Sequence, residues 1–409
     1  LKQDLDSAIK HLPATWVSEE YGRVTRAAAA ALKGRILLFY ASPQFNPAND
    51  RNRWKEAFDA NIFARNLCTT DGYRLMTDIK VQANAQWPVA VDFNKVFITK
   101  KTANNPEVIL VTPYLQSLKY HGYEGSVRPV DVTNATGRPS NLPSWDLVAA
   151  FPMKDGKIVY KHTATASNRT TVFSGHTDIR KYYQDRDPRF YATIAFNGSY
   201  YPLEGNPTRR QWTYTGGEIS SSDKTTTTGF YTRKYINPAI TGVDMNKTYT
   251  DWIEIRYAEV LLNLAEAAFE YEGDNSATGF DCLKAIRERA GIEPGVDGFY
   301  GLKSNPEYSM LEIVMNERRV EMAFEGKRFW DLRRRNMFTN NLGANFLKLN
   351  GWKKSGSGYT FTLSGITTAA FNSIRQELPV DSVYKYFTMT AKSTGPLVKS
   401  IAYRTYTTE

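Results

Sequence analysis

The strongest constraint on the fold lies in residues 316–336, NERRVEMAFEGKRFWDLRRRN, where charged and large apolar side chains alternate. Glu317, Glu321 and Glu325 recur every fourth residue, so a helix places them on one face, where like charges repel. The interleaved apolar residues indicate that this face is partly buried, and a buried carboxylate without a partner is costly. The sequence therefore predicts ion pairs between helices, with partners drawn from Arg318, Arg328, Arg256, Arg287 and Arg289.

The alternative role for these carboxylates is acid–base catalysis, as in glycosidases that place two carboxyl groups across a cleft. Neighbouring arginines favour the ionised form of a carboxyl group, which makes it a poor general acid. We therefore interpret the stretch as a structural element and predict no catalytic residue in it.

Composition allows a large core, since 42% of the 409 residues are apolar and 13% are aromatic. The formal net charge of +10 would permit an acidic partner, but the basic residues are scattered and the densest run is only Arg333 to Arg335. Nucleic acid is therefore not expected as a partner. No apolar run is long enough to cross a bilayer, and the best candidate is interrupted by Lys33 and Arg35.

The cysteines and histidines indicate neither a disulfide framework nor a metal site. Cys68 and Cys282 are far apart in the chain and are predicted to be buried core residues rather than a disulfide. The four histidines are also scattered, so no metal or other cofactor is expected; they are His11, His121, His162 and His176.

Four regions differ in residue pattern and predicted secondary structure, and we interpret them as parts of one domain. Residues 1–72 form a helical scaffold that returns at 251–338, residues 73–250 are loop-rich, and residues 339–409 are loop and short strand. Short turns join helix pairs that carry small alanines, as in tetratricopeptide repeats, although the full repeat signature is not met. The predicted fold is mainly α, a tetratricopeptide-like scaffold with a large loop-rich, short-strand insertion that bears the ligand face.

Caps and breakers predict where the N-terminal helices lie. The first helix ends before Pro13, and a second covers about 21–40. A third begins at RWKEAFDANIFARNL, residues 53–67, where apolar residues recur at helical spacing.

Similar signals predict the later elements. A helical pattern of apolar residues returns at Asp251, and the helix in DCLKAIRERAG ends at Gly291. Ser309 and Glu312 match a capping box that opens the helix containing residues 316–336. WKKSGSGYTFTL is typical of a β-hairpin.

Seven segments support a relationship to a known family. They are GRVTRAAAAALKGRILLFYASPQFNP, NNPEVIL, LVAAFPMKDG, DRDPRFYATIAFNG, GFYTRKYINP, IRYAEVLLNLAEA and NERRVEMAFEGKRFWDLRR, in that order along the chain. Together they resemble the SusD/RagB-like outer-membrane nutrient-binding lipoproteins. The last two segments are the most specific, and the resemblance covers most of the chain.

The resemblance implies a protein without catalytic activity that binds an oligosaccharide or polysaccharide, or in some members a peptide. Such a protein covers a TonB-dependent transporter of the SusC type and delivers its ligand for import. The implied location is the extracellular face of the outer membrane, with a lipid anchor on an N-terminal cysteine that is not in this chain. Cys68 lies inside a predicted helix and does not match that cysteine, and residues 375–409 differ from the family's usual ending.

Sugar binding requires aromatic planes for the C–H faces of the rings and planar polar groups for the hydroxyls. Two clusters in the loop-rich region offer both. The first contains Trp87, Tyr114, Tyr120, Tyr123 and Trp145 beside Arg128, Asp131 and Asn134, and the second contains Tyr200, Tyr201, Trp212 and Tyr214 beside Arg209, Arg210 and Gln211. The predicted ligand-binding residues are Trp87, Tyr120, Tyr123, Arg128, Trp145, Trp212 and Tyr214.

Three alternatives remain open from the residues alone. Each aromatic side chain could instead anchor its loop to the scaffold, because large aromatics are mostly buried. A glycoside hydrolase would need loop acids such as Asp92, Glu124 and Asp131 to converge on the aromatic clusters, although no spacing selects a pair. A helical scaffold that binds only protein would bury its loop aromatics.

Overall fold

The structure is a computed structural model that describes part of the chain. The described residues are 1–77, 92–100, 105–115, 118–129, 131, 139, 141–158, 183–213, 226, 228–337, 347–355 and 358–365, with only the backbone for Trp145, Asp146 and the last two ranges. Within these residues, none of the helices combines the length and apolar character that a membrane crossing requires.

The N-terminal part consists of three helices, as predicted. They are α1 (Lys2–His11), α2 (Arg26–Ala41) and α3 (Arg51–Thr70), with a 3-10 turn at Ser18–Glu20. Helix α2 begins five residues later than predicted, because Thr25 is extended and caps the helix by accepting a hydrogen bond from the Ala28 amide. The Asp50 carboxylate caps α3 in the same way.

Helices α2 and α3 are in close contact at Gly34. A Cβ atom built on Gly34 would lie 2.3 Å from the side-chain oxygen of Asn61 on α3. The amide nitrogen of Asn61 donates to the carbonyls of Gly34 at 3.1 Å and Ala57 at 2.8 Å, and Asn61 is buried. The absence of a side chain at Gly34 therefore allows a direct hydrogen bond between the two helices.

We expect Gly34→Ala to destabilise the protein by roughly 1–3 kcal/mol, since overpacking outweighs the helix propensity of alanine. Chemical denaturation measures the change. Gly122→Ala is the matched control, because a Cβ atom on Gly122 meets nothing closer than 3.9 Å. Equal stability of the two variants would contradict the close approach.

The middle of the described chain contains short elements. They are α4 (Lys95–Ile98), β1 (Val108–Thr112), α5 (Tyr123–Val127), α6 (Trp145–Ala150), α7 (Pro188–Thr193), β2 (Ile194–Ala195), β3 (Ser199–Tyr200), β4 (Arg210–Gln211) and β5 (Tyr231–Thr232). Strands β2 and β5 pair, as do β3 and β4, and both pairs are antiparallel.

Strand β6 (Trp252–Arg256) corrects the prediction that helical texture returns at Asp251. It pairs antiparallel with β1, so that Thr112 lies opposite Trp252. Ile253 and Ile255 are buried, which is the two-residue alternation of a strand with one buried face. The helix begins only after this strand.

The returning helices are α8 (Tyr257–Glu272), α9 (Ala277–Ala290), α10 (Met310–Glu321) and α11 (Arg328–Arg334). Helix α9 ends at Gly291, and the capping box of Ser309 and Glu312 opens α10, as predicted. The stretch 316–336 is not one helix, because the chain turns between α10 and α11 with Phe324 and Gly326 at positive φ. A final hairpin, β7 (Leu347–Ser355) and β8 (Gly358–Gly365), contains the predicted one.

The main apolar core lies between α2, α3, α8, α9 and α10. Cys68 and Cys282 belong to it as free thiols, as predicted. Burial raises the pKa of each thiol to about 12, so both are neutral. The division of the chain into four regions stays a prediction.

A set of ten buried charges, which we call the central network, connects the helices to the loop-rich part. Its carboxylates are Glu107, Asp187, Glu317, Glu321 and Glu325, and its cations are Arg189, Lys234, Arg256, Arg287 and Arg289. Five negative and five positive groups balance each other. The ion pairs predicted for residues 316–336 are therefore present.

Arg256 occupies the middle of the central network. Its guanidinium group donates to Glu107 at 2.7 Å, to Glu321 at 2.6 Å and to Glu325 at 2.7 and 2.8 Å. Arg287 pairs with Glu317 at 2.9 Å. The predicted partners Arg256, Arg287 and Arg289 are confirmed.

Arg189 and Lys234 are partners that the sequence did not reveal, because both lie in the loop-rich region. Arg318 was predicted as a partner of the three glutamates but instead binds Asp331 at 3.0 Å. Arg328 donates to the Met315 carbonyl at 3.3 Å. The contacts of Arg318 and Arg328 both follow from the turn between α10 and α11, which places Asp331 beside Arg318.

A second network joins α8, α10 and α11. Asp331 accepts from Arg318 and Arg334, and Arg334 also binds Glu266 at 2.5 Å and the Ser42 hydroxyl at 2.9 Å. Glu266 of α8 is therefore a buried carboxylate between helices.

We expect the free energy of unfolding to fall as the pH drops from about 4.5 to about 2. Burial alone would raise the pKa values of Glu317, Glu321 and Glu325, but neighbouring cations outweigh burial and lower them. The same balance lowers the pKa of Asp331 to about 2. Carboxyl groups with a depressed folded pKa stabilise the fold above their unfolded pKa and lose that effect on protonation.

Denaturation at a series of pH values measures this dependence. Asp331 alone should account for a loss on the order of 2 kcal/mol, since its pKa falls from 3.8 to about 2. In Asp331→Asn the free energy of unfolding should change less with pH than in the wild type. A stability that does not change between pH 5 and 2 would show that these pKa values are not depressed.

Candidate functional site: two aromatic faces

Among the described residues of the loop-rich region, a group of exposed apolar side chains lies shortly after β1. Leu115, Leu118 and Tyr120 are 53%, 81% and 51% exposed, beside half-buried Tyr114 and exposed Lys119. We call the surface formed by these five residues the Tyr120 face. Isolated exposed apolar residues are common, but a group of this size in one turn suggests a binding surface.

A tight turn and a buried carboxylate fix the shape of the Tyr120 face. The Leu115 amide donates to the Lys119 carbonyl at 2.8 Å, which closes the turn. Buried Asp251 accepts from the Tyr114 amide at 3.1 Å and from the Tyr21 hydroxyl at 2.5 Å. Because strand β6 follows Asp251 directly, the face is connected to the rigid β1–β6 ribbon.

Two lysines contact the aromatic rings of this region. The Lys119 ammonium lies 4.8 Å from the centre of the Tyr114 ring. Lys100 donates to the Tyr114 carbonyl at 3.0 Å and lies 5.9 Å from the Tyr249 ring. The surface thus combines aromatic planes with hydrogen-bond donors.

An aromatic layer supports the Tyr120 face from below. His121 meets Tyr114 edge to face at 4.6 Å between ring centres, and Trp252 stacks on Tyr235 at 4.9 Å and meets Tyr123 at 5.6 Å. Burial lowers the pKa of His121, against the opposing effect of its hydrogen bond to Thr250. A neutral ring with the proton on Nε2 donates to the Thr250 carbonyl and accepts the Tyr123 amide on Nδ1.

The second aromatic surface lies on the β3–β4 pair. The Arg210 guanidinium lies 4.4 Å from the centre of the Tyr200 ring and donates to its hydroxyl at 3.0 Å. The half-buried Trp212 ring lies over Gly198, where a Cβ atom would come within 3.3 Å of it. We call the surface of Tyr200, Arg210 and Trp212 the hairpin face.

The structure separates the predicted ligand-binding residues into groups. Tyr120 is exposed and Trp212 is half-buried at the hairpin face, so both positions suit ligand contact. Trp87 and Tyr214 lie outside the described residues, as does the side chain of Trp145, whose backbone begins α6.

Arg128 is buried and Tyr123 is half-buried, and both make contacts within the protein, so the binding surface that we propose does not include them. The Tyr123 ring belongs to the supporting aromatic layer, and its hydroxyl donates to the Lys234 carbonyl. Arg128 is 1% exposed and pairs with Glu124, with further hydrogen bonds to the carbonyls of Asn237 and Ile240. These residues differ from the prediction because the segment forms helix α5 rather than an irregular loop.

The sequence did not single out Leu115, Leu118 or Lys119, although they lie between Tyr114 and Tyr120 of the first predicted cluster. The signal that could have identified the leucines is their position between turn-forming residues shortly after a strand. Asp251 was also missed, because its role depends on contacts with Tyr21 and Tyr114.

The loop acids do not form a catalytic pair in the described residues. Asp131 binds Arg209 at 2.7 Å. Burial raises the pKa of Glu124 to about 7, a value that suits a general acid, but its side chain is fully buried against Arg128. In addition, the described part of the chain contains no cluster of His, Cys, Asp and Glu that could bind a metal ion.

A sequence profile of the SusD family matches residues 106–377. The chain therefore belongs to the SusD family.

Several known proteins are similar to this chain. The SusD-like protein P2 of Formosa agariphila is 29% identical over 271 residues, which are 63% of this chain and 45% of that protein. A SusD-like protein of Bacteroides fragilis superposes with a TM-score of 0.62 at 24% identity, covering 89% of this chain and 64% of the other. A SusD-like carbohydrate binding protein of the same species gives 0.61 at 23% identity, covering 87% and 61%.

These matches confirm the predicted mainly α, SusD-like fold with its tetratricopeptide-like helices. The chain spans less than half of the curated relative and under two thirds of the two structures.

Proposed function

We propose that this protein binds glycan nutrients without catalysis and delivers them to a partner transporter. Membership of the SusD family supports a capture role, and one structural relative is described as a carbohydrate binding protein. The observation that carries the proposal for this chain is the Tyr120 face. Its exposed Tyr120 ring offers the flat apolar plane on which a sugar ring stacks, and Lys119 offers donors for hydroxyl groups.

Two backbone hydrogen bonds favour this face as a binding surface. The turn of Leu115 and Lys119 is closed by a backbone hydrogen bond, and Asp251 binds the Tyr114 amide from the ribbon side. A surface that is ordered before binding loses little conformational entropy when the ligand arrives. Weak individual contacts with a glycan can then add up to a useful affinity.

A peptide is the second candidate ligand, and Leu115 and Leu118 favour it. Both side chains are aliphatic and more than half exposed, and aliphatic surface suits peptide side chains better than hydroxyl-rich sugars. The two ligand classes therefore compete for the same face in this proposal.

The test is a calorimetric titration of the full chain against soluble oligosaccharides and against peptides of mixed composition, with product analysis after each run. We expect saturable binding of at least one oligosaccharide and no new reducing ends. Binding of peptides alone would favour the second candidate. Release of reducing ends would overturn the capture role, and no binding in either panel by a folded protein would overturn both candidates.

The location and the partner follow from the same proposal. We place the protein at the extracellular face of the outer membrane beside a TonB-dependent transporter of the SusC type. Affinity purification of the tagged protein from its native membranes should recover a TonB-dependent transporter in comparable amounts. Recovery of the tagged protein alone, under conditions that retain other membrane complexes, would contradict the partnership.

A further inference from the structure

A groove on the helical scaffold lies apart from both aromatic faces. It has a cavity volume of about 370 Å³ and lies between α3, residues 74–77, α8 and α9. This volume is in the range of small-molecule sites. The groove lies beside Tyr257, which follows the Arg256 end of β6, whereas the Tyr120 face lies at the Trp252 end, about 15 Å away along the ribbon.

The floor of the groove is apolar. It consists of Leu75, Tyr257, Leu261, Cys282 and Ala285. The hydroxyl of Tyr257 is bonded to Thr69 at 3.0 Å, and burial keeps the Cys282 thiol neutral by raising its pKa. The floor therefore presents mainly hydrocarbon surface to a ligand.

The rim of the groove is basic. Arg65 from α3 and Arg74 line it together with one carboxylate, Asp281, which lies 3.9 Å from Lys284. Neither arginine forms an ion pair with any residue that the structure describes. Arg74 donates one hydrogen bond to the Leu75 carbonyl, and Arg65 bonds to the Asn66 amide oxygen.

We propose that this groove binds a small monocarboxylate with an apolar body. The guanidinium fork matches a carboxylate in geometry and charge, and two such groups on one rim leave an excess of positive charge. The apolar floor accommodates the body of the ligand, and the cavity limits its size. This site is independent of glycan binding, because the Tyr120 face and the hairpin face contribute none of its lining residues.

The test compares 4-phenylbutyrate with its uncharged amide by calorimetric titration of the full chain. The two probes have the same apolar body, so their difference reports the carboxylate. We expect saturable binding of the carboxylate, about tenfold tighter than that of the amide. A charge-assisted hydrogen bond contributes a difference of about this size. Equal affinities, or no saturable binding of the carboxylate, would overturn the proposal.

Variants locate the binding. Arg74→Gln and Arg65→Gln should each weaken the carboxylate about tenfold and leave the amide unchanged. Ala285→Phe should abolish binding of both probes by filling the groove, and a thermal melt verifies that it folds. The matched control is Arg51→Gln on the same helix, about 21 Å from Arg65. If Arg65→Gln and Arg74→Gln bind as tightly as the control, the groove is not the site.

Discussion

Replacing Arg256 with leucine is expected to destabilise the protein by about 3–5 kcal/mol, the largest effect of any single substitution considered. Arg256 is the shared partner of Glu107, Glu321 and Glu325, and all four side chains are buried. Among the described cations, leucine would leave Glu325 paired with Lys234 and Glu107 paired with Arg289. Such poorly compensated buried carboxylates cost far more than one lost hydrogen bond.

Urea denaturation followed by circular dichroism measures this change. The matched control is Lys55→Leu, which removes a cation from the exposed pair with Asp59 and should leave the free energy of unfolding nearly unchanged. An Arg256→Leu variant with the same free energy of unfolding as the control would contradict the structural role of the central network. Destabilisation should also be smaller at pH 3 than at pH 7, because protonation partly neutralises the orphaned carboxylates.

Tyr120→Ala is expected to weaken binding of the preferred oligosaccharide about tenfold without changing the melting temperature. A stacked aromatic ring contributes roughly 1–1.5 kcal/mol beyond its buried area, which corresponds to about one order of magnitude in affinity. Tyr120 is half-exposed, and the ring contacts that support the face are made by Tyr114, His121 and Trp252. Its removal should therefore affect the ligand and not the fold.

Tyr40→Ala is the matched control for this titration. Tyr40 is also a substantially exposed tyrosine, at 43%, but it lies on α2 beside Arg53. We expect the control to bind as tightly as the wild type. Loss of affinity in both variants would indicate nonspecific adsorption to aromatic surface, and no loss in Tyr120→Ala would remove the Tyr120 face from the site.

Trp212→Ala distinguishes the two aromatic faces. A glycan long enough to reach both should lose affinity in Trp212→Ala and in Tyr120→Ala, whereas a short one should respond to only one of them. Because Trp212 packs on Gly198, its removal also exposes the backbone of the hairpin, and a melting curve should accompany the titration.

The helical scaffold could be predicted from the sequence because its signals are local. Periodic apolar residues, the cap at Ser309 and the terminating Gly291 each act within one or two turns. The prediction that the chain is helical from Asp251 was wrong for a nonlocal reason. Residues 252–256 are a strand because β1 supplies its hydrogen-bonding partner from more than a hundred residues earlier.

The sequence predicted that the three glutamates form buried ion pairs, but it identified only some of their partners. The spacing of Glu317, Glu321 and Glu325 required cations, and Arg256, Arg287 and Arg289 supply them. The contributions of Arg189 and Lys234 depend on how the loop-rich region folds onto α10, which no helical pattern encodes.

The binding surface was the least predictable feature. Tyr120 and Tyr123 lie three residues apart in the same segment and looked equivalent in sequence. The structure exposes Tyr120, whereas the half-buried Tyr123 ring at the start of α5 packs against Tyr235 and Trp252. Whether an aromatic side chain faces solvent is decided by the contacts of its neighbours, and composition carries little of that information.

Amide hydrogen exchange of the full chain, with and without saturating oligosaccharide, tests the central claim most directly. The ligand is the one that binds most tightly in the titrations. We predict that protection increases in residues 114–115, 118–121 and 248–252, which form and support the Tyr120 face, while α8 and α10 exchange as before. Protection confined to other segments, or no change at saturation, would contradict the claim that this face captures the ligand.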